Sequence, residues 1–166
     1  MKPLGLKTKL SEYAIRHDLI PLKTRWERTV SAVGSLYRNF YNLLEPGERP
    51  RLSSVMEEMG LEHSREILPR IGAERNLHGC ALALMAYHRL FAIKSRIAEE
   101  TPEEIVIHVT SCAWKDKGGW TPELCASIQS FENGLVKGVD TAIGHRYTKR
   151  RSLGDPVCEI RLWHPR

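Results

Sequence analysis

The sequence predicts an α+β fold in which a helical N-terminal half packs on a small C-terminal β-α-β-β antiparallel sheet unit. Three observations carry this. Apolar residues recur at helical spacing through the first hundred positions. A β-branched run, 104–112, follows Thr101-Pro102. A capped helix and two further short β-type runs close the chain. The 166 residues fit one domain, with a helical part at 1–100 and a cysteine-bearing part at 104–163.

Each element has a local cause. Ser11 suits the cap of a short helix ending near His17. Pro21 suits the first turn of a second, reaching about Leu44, with Trp26, Val30, Val33, Tyr37 and Leu44 on one apolar face. Glu45-Pro-Gly-Glu-Arg-Pro50 breaks it. A shorter helix over 53–59 is expected to stop at Gly60, and a long one to run over 71–99. That helix is apolar nearly all round between Leu77 and Ile93, which predicts a central buried position. In 104–112, Ile105, Ile107 and Val109 alternate with Val106, His108, Thr110 and Cys112, so the two sets are expected on opposite faces. Thr121-Pro122 opens the last helix, whose apolar face is Leu124, Ile128, Phe131, Leu135 and Val139, flanked by Cys125, Gln129 and Glu132. Gly134 and Gly138 weaken it, and suit either close packing or a bound ligand. Strands are expected over 144–152 and 157–163, joined by Leu-Gly-Asp-Pro.

Hydrophobic residues make up 42% and charged residues 27%, which argues against disorder. The first residues carry lysines with no apolar stretch behind them, so no secretory signal is expected and the protein is expected to be cytoplasmic. No apolar run is long enough for a membrane span. The +5 net charge divides unevenly: nine basic and five acidic groups in 1–50, seven and nine in 51–104, nine and six in 105–166. The densest basic run, His145-Arg-Tyr-Thr-Lys-Arg-Arg151, interleaves one aromatic residue only. It suits a solvated strand or small-anion recognition better than nucleic acid, which is not expected as a partner.

Four cysteines without a secretory signal read as thiols rather than as a disulfide framework. Cys80 falls in the apolar helix and reads as core. Cys112, Cys125 and Cys158 stand at element edges, where a paired last strand and a returning helix can bring them together. Their C-x12-C-x32-C spacing matches no zinc-finger or ferredoxin pattern. Three readings stand: buried small hydrophobes, a catalytic thiolate or thiol pair, or a Zn or Fe site completed by His108 or His145. Otherwise no cofactor is expected. His88 shares a stripe with Leu77, Ala81, Leu84 and Phe91, beside Glu74 and His78. It suits either a hydrogen-bonded core histidine or a general base facing a pocket. Trp114 and Trp120 flank Lys-Asp-Lys-Gly-Gly, as a lid over the cysteines or as loop packing. Trp26, Tyr37, Phe40 and Tyr41 would serve a homodimer or the monomer's own core.

The segments Val-Thr-Ser-Cys112-Ala-Trp, Pro122-Glu-Leu-Cys125 and Arg151-Ser-Leu-Gly-Asp-Pro-Val-Cys158-Glu-Ile resemble, in order, the L-2-amino-thiazoline-4-carboxylic acid hydrolase-like family. More distantly they are similar to 4-vinyl reductase or hydrocarbon-binding domains. The resemblance covers about 104–163; Ala113 stands where the family tends to have Pro. It implies a small hydrolase acting on a C–N or C–S bond of a cyclic amidine or thiazoline, an anionic small-molecule substrate. On that reading Cys112 or Cys125, with Cys158 beside them, supplies the thiolate nucleophile. His108 or His88 serves as base and Glu132 as acid or orienter. Arg150 or Arg151 grips the substrate carboxylate, and Trp114 and Trp120 enclose it. The alternative is a non-catalytic module whose long apolar helix and glycine-bearing helix enclose a hydrophobic ligand.

Overall fold

The structure is a computed structural model that describes residues 10–165 except Glu12, Ile15, Asp18 and Gly118; the side chain of Lys117 also lies outside the description. The short helix expected from Ser11 falls partly outside the described residues. The others are α1 (Leu22–Leu43), α2 (Arg49–Ile71), α3 (Leu77–Leu90), β1 (Ile93–Glu100), β2 (Glu104–Cys112), α4 (Pro122–Val139), β3 (Gly144–Lys149) and β4 (Cys158–Trp163). The strands form one antiparallel sheet in the order β1-β2-β4-β3. The helices stand N-terminal to the sheet, except α4, which crosses from β2 to β3. The fold is α+β, as expected.

The core lies where α3 and α4 cover one face of this sheet. Leu84, Ile107, Leu135, Ile160 and Leu162 are fully enclosed there. Cys80 belongs to this layer, where burial pushes its thiol pKa up to about 12. On α4, Thr121 accepts a hydrogen bond from the Leu124 N–H at 3.3 Å and Pro122 fills the first turn, as the sequence indicated.

Two helical expectations are corrected. Helix α2 does not stop at Gly60 but runs through it. A Cβ at Gly60 would collide with the Phe131 carbonyl oxygen, and one at Gly134 with the Glu57 carbonyl. The two glycines let the α2 and α4 backbones touch, and Gly138 makes room for the Ser64 side chain. Of the two uses open to Gly134 and Gly138, close packing is the one they serve.

The long helix expected over 71–99 is likewise divided. Gly72, at φ +64°, ends α2, and the Asn76 side chain caps α3 by accepting the Gly79 N–H at 2.8 Å. Helix α3 ends at Leu90, Ala92 turns the chain at φ +55°, and residues 93–100 pair with β2 as β1. Strand β1 alternates Ile93 and Ser95 inward with Lys94 and Arg96 outward. Ladder bonding along β2 overrides a helical apolar pattern that fades at Ile93.

Helix α1 has a narrower inward face than expected. Val30, Gly34 and Tyr41 are buried. Trp26, Val33 and Phe40 are exposed, and Leu22, Leu36 and Leu43 more so.

Candidate functional site

A β-bulge decides which side chains reach the site. In the β1–β2 ladder Ser95 pairs with Val109 but Lys94 pairs with Ser111, so Thr110 is an extra residue. Past that bulge the alternation of β2 reverses. Cys112 therefore joins Val109 on the helix-covered face, while His108, before the bulge, keeps to the opposite face. The expectation that Cys112 and His108 share a face is thus corrected.

Two neighbouring chambers lie between this end of the sheet and the helices, the larger of them reached by α1, α2, α3 and α4. The smaller, about 60 Å³, is bordered by Cys112, Cys125 and Cys158 together with His88, Glu132, Trp114, Trp120 and Arg150. The larger, about 190 Å³, is bordered by Tyr37, Tyr87, Phe91, Trp114 and Phe131, with Met56, Met59 and Glu132. His88, Ile93, Trp114, Ile128 and Glu132 form the wall common to both.

The three edge cysteines thus converge, because β2 pairs directly with β4 (Val109 opposite Cys158) and α4 starts back over them. All four cysteines are free thiols. Burial raises the pKa of Cys112, Cys125 and Cys158, outweighing the hydrogen bonds that lower it: backbone N–H groups at Cys112 and Cys158, and Ser152 at Cys125. The thiols are therefore held protonated near neutral pH. Among the described residues, no group of three or more His, Cys, Asp or Glu side chains is arranged to hold a metal ion.

Glu132 is the polar centre of the common wall. Its residue is 5% exposed. His88 Nε2–H donates to Oε1 at 3.1 Å, and the Tyr147 hydroxyl donates to Oε2 at 2.6 Å. His88 Nδ1 meets Ser95 Oγ at 2.9 Å, so both its ring nitrogens are engaged. His145 Nε2 stands 3.6 Å from Oε2, with no hydrogen-bond partner. Burial by itself would raise the carboxyl pKa, but the imidazoles of His145 and His88 outweigh it and hold it down at about 2. Burial, reinforced by the same carboxylate, pushes the pKa of the Tyr147 hydroxyl well above its usual value. His88 is a hydrogen-bonded core histidine, 3% exposed, and it also borders both chambers.

A ladder of rings runs along the larger chamber. Tyr37 stacks on Trp120, Trp120 on Trp114 at 5.1 Å, and Trp114 meets Phe91 at 5.2 Å. Phe91 continues to Tyr87, which meets Phe131 edge-on at 5.2 Å. Trp114 is 8% exposed and its Nε1–H donates to the Val30 carbonyl at 3.0 Å, so this ring pins α1 over the chambers. Tyr37 Oη to Ser127 Oγ at 2.8 Å and Trp26 Nε1 to the Leu90 carbonyl at 2.9 Å hold α1 at two more points.

Two expected site residues stand elsewhere. His108 faces Glu159 at 3.3 Å on the other side of the sheet, in a cluster with Thr148, Lys149 and Arg161. Hydrogen bonds from Lys149, Thr148 and His108 overcome the effect of burial there and hold Glu159 at a pKa of about 2. Arg151 is engaged by Asp116 at 2.7 Å, leaving Arg150 as the arginine on the smaller chamber's wall. Asp116 also accepts the Cys112 N–H and the Ser111 hydroxyl, each at 3.1 Å, so it ties the loop after β2 to the β3–β4 connection. Sequence reasoning passed over Asp116, Tyr147 and Tyr87. Tyr147 carried a signal, its two-residue spacing from His145 on one strand; Asp116 carried none.

No family model matches this chain, and no curated protein matches it. Its fold recurs in solved structures. Trafficking protein particle complex subunit 3 from Naegleria fowleri, covalently bound to palmitic acid, aligns with a TM-score of 0.58 and 17% identity, over 87% of this chain and 97% of that one. The phenol-responsive sensory domain of the transcription activator PoxR, with phenol, aligns with a TM-score of 0.58 and 11% identity, over 81% and 74%. At these identities the likeness establishes the fold. Among the described residues no helix is long and apolar enough to cross a membrane.

Proposed function

We propose that this protein is a binding module for a small, single-ring apolar ligand held in the larger chamber. The observation that carries this is the chamber itself: about 190 Å³, walled by five aromatic side chains and closed over by α1. An apolar cavity of about 150 Å³ is enough to take up benzene. A long acyl chain needs more room than this chamber has. Both structural neighbours hold a ligand, palmitic acid in one and phenol in the other. The phenol-sized occupant is the one that suits the volume here. Trp114 then serves as part of the chamber wall and, with Trp120 stacked on it, as a reporter of binding.

Titration with toluene and phenol tests this reading. Saturable quenching or a shift of tryptophan emission, with a raised Tm, is the expected result. If neither compound moves either signal at millimolar concentration, the reading fails.

A second reading is favoured by a separate observation, the convergence of three thiols and Glu132 on the smaller chamber. It is cysteine-centred cleavage of a cyclic amidine or thiazoline, with Arg150 meeting the substrate carboxylate. Protonated thiols weigh against it, because the thiolate is the nucleophile. Turnover of 2-amino-thiazoline-4-carboxylate, lost in Cys112→Ser or Cys125→Ser, would favour it. Wild-type turnover in both variants would exclude thiolate catalysis.

A further inference from the structure

Helix α1 exposes more apolar side chains than it buries. Of its 22 residues only Val30, Gly34 and Tyr41 are buried. Leu22, Trp26, Val33, Leu36, Phe40 and Leu43 are 37% to 81% exposed. We infer that this exposed stripe is an interface between two copies of the chain, which pack α1 on α1 in opposite directions, and that the second copy seals the larger chamber. The sealing rests on the ligand-binding reading; the pairing does not.

Three arguments converge. The exposed positions, with Thr29 among them, are spaced by four, three, four, three, four and three residues over 22–43. That is the 3.5-residue repeat of a helix wound on another helix, sustained over three heptads; packing on the body of a domain needs only the natural 3.6. The stripe therefore fits a helix as its occupant. Second, a helix in a protein owes most of its stability to packing. Helix α1 is about 33 Å long and is held on the body by the Trp114, Tyr37 and Trp26 side chains. A partner along the stripe supplies the packing that the body does not. Third, charge fits a second copy laid in the opposite direction. Lys23, Arg25 and Arg28 stand near the N-terminus of α1, with Glu27 its one acidic residue. The last turn holds no basic residue, and Glu45 follows it. Two copies running the same way would set the basic ends together. Running opposite ways, each basic end meets the partner's C-terminus, where the helix dipole favours cations. The result is a closed two-fold pair.

The same surface reaches the chamber. Val33 of the stripe and Met59 of α2 both border it and are 42% and 41% exposed. Val55, one turn before Met59, is exposed as well. A copy laid on α1 covers these side chains and so closes the chamber toward solvent.

Sedimentation equilibrium of the whole chain, with and without toluene, tests this. The wild type is expected at twice the 19.0 kDa chain mass at micromolar concentration. Leu36→Glu combined with Leu43→Glu sets four carboxylates along the paired stripe. These two side chains are 71% and 81% exposed, so the variant is expected to keep its circular dichroism and to run as a monomer. Its toluene affinity should fall several-fold. If the double variant does not fold, Leu43→Ser alone, at the helix end, should still weaken pairing about tenfold. A monomeric wild type at high micromolar concentration would overturn the pairing, and a folded double variant that stays dimeric would overturn α1 as its site. Unchanged toluene affinity in a monomeric variant would overturn the sealing alone. Toluene binding to neither protein would overturn the ligand reading and the sealing, with the pairing still decided by mass.

Discussion

Helices α1 and α2 have nearly the same length, 22 and 23 residues, yet they join the molecule by opposite means. Helix α2 lies against α4 backbone to backbone at Gly60 and Gly134, with Gly138 seated on the Ser64 side chain. Helix α1 is held by side chains: the Trp114 indole, the Tyr37–Ser127 hydroxyl pair and the Trp26 indole. Backbone contact leaves no space at Gly60 and Gly134, whereas α1, propped on rings, leaves a chamber beneath it whose far wall includes Met56 and Met59 of α2. The first interface belongs to the stable body. The second is the one suited to open locally, and it covers the ligand chamber.

The contrast is broken most directly at Gly134. A methyl group there meets the Glu57 carbonyl, which is backbone and cannot rotate away. Gly134→Ala is expected to cost about 3 kcal/mol of global stability despite the better helix propensity of alanine. Urea denaturation followed by far-UV circular dichroism measures it. Unchanged stability would mean that α2 and α4 are not in backbone contact.

Acid acts on the boundary between the two regions, at Glu132. Its carboxyl pKa is about 2 in the folded protein against 4.5 for the ordinary group. Its stabilising contribution is therefore complete above about pH 5 and is lost as pH falls through 2. Between pH 7 and pH 3 the loss is about 2 kcal/mol. Glu159, also near 2, loses stability in the same direction, so the wild type must be compared with Glu132→Gln. The variant should show the smaller acid-induced fall; equal falls would mean that Glu132 is not held ionised.

At Gly34 the test falls on α1 alone. An added Cβ would meet the buried Trp114 indole, whose hydrogen bond to the Val30 carbonyl would have to give. Gly34→Ala should cost about 1–2 kcal/mol overall, less than Gly134→Ala because a ring rather than backbone is displaced. Hydrogen exchange along α1 should nevertheless accelerate several-fold, with α2 unaffected. Acceleration in both helices together would show that they open as one unit.

The same difference explains what was legible in the sequence. Elements set by local chemistry were read correctly: Thr121-Pro122 opening α4, the β-branched β2, the Glu45–Pro50 break. The convergence of Cys112, Cys125 and Cys158 followed from their places at element edges. Features that depend on distant partners were not legible. The bulge at Thr110, which parts Cys112 from His108, is a property of two paired strands. Gly60 reads as a helix stop until the Phe131 carbonyl is known to lie against it. Strand β1 was hidden because Ile93 continues a helical apolar stripe; the alternation of Ile93, Ser95 and Ile97 with Lys94 and Arg96 was its only local mark.

The smallest effect expected lies at Ala92, the turn that made β1 hard to foresee. Its φ of +55° is the left-handed region, where a Cβ crowds the backbone. Glycine removes that crowding but adds freedom to the unfolded chain. Ala92→Gly should therefore stabilise the protein by only about 0.5 kcal/mol. It alters the α3–β1 turn without touching Trp114 or Tyr37. Its gain should appear in the exchange of α3 and the sheet, while local opening of α1 stays at its wild-type rate. A matching slowdown in α1 would show that the cover and the body are coupled more tightly than their contacts indicate.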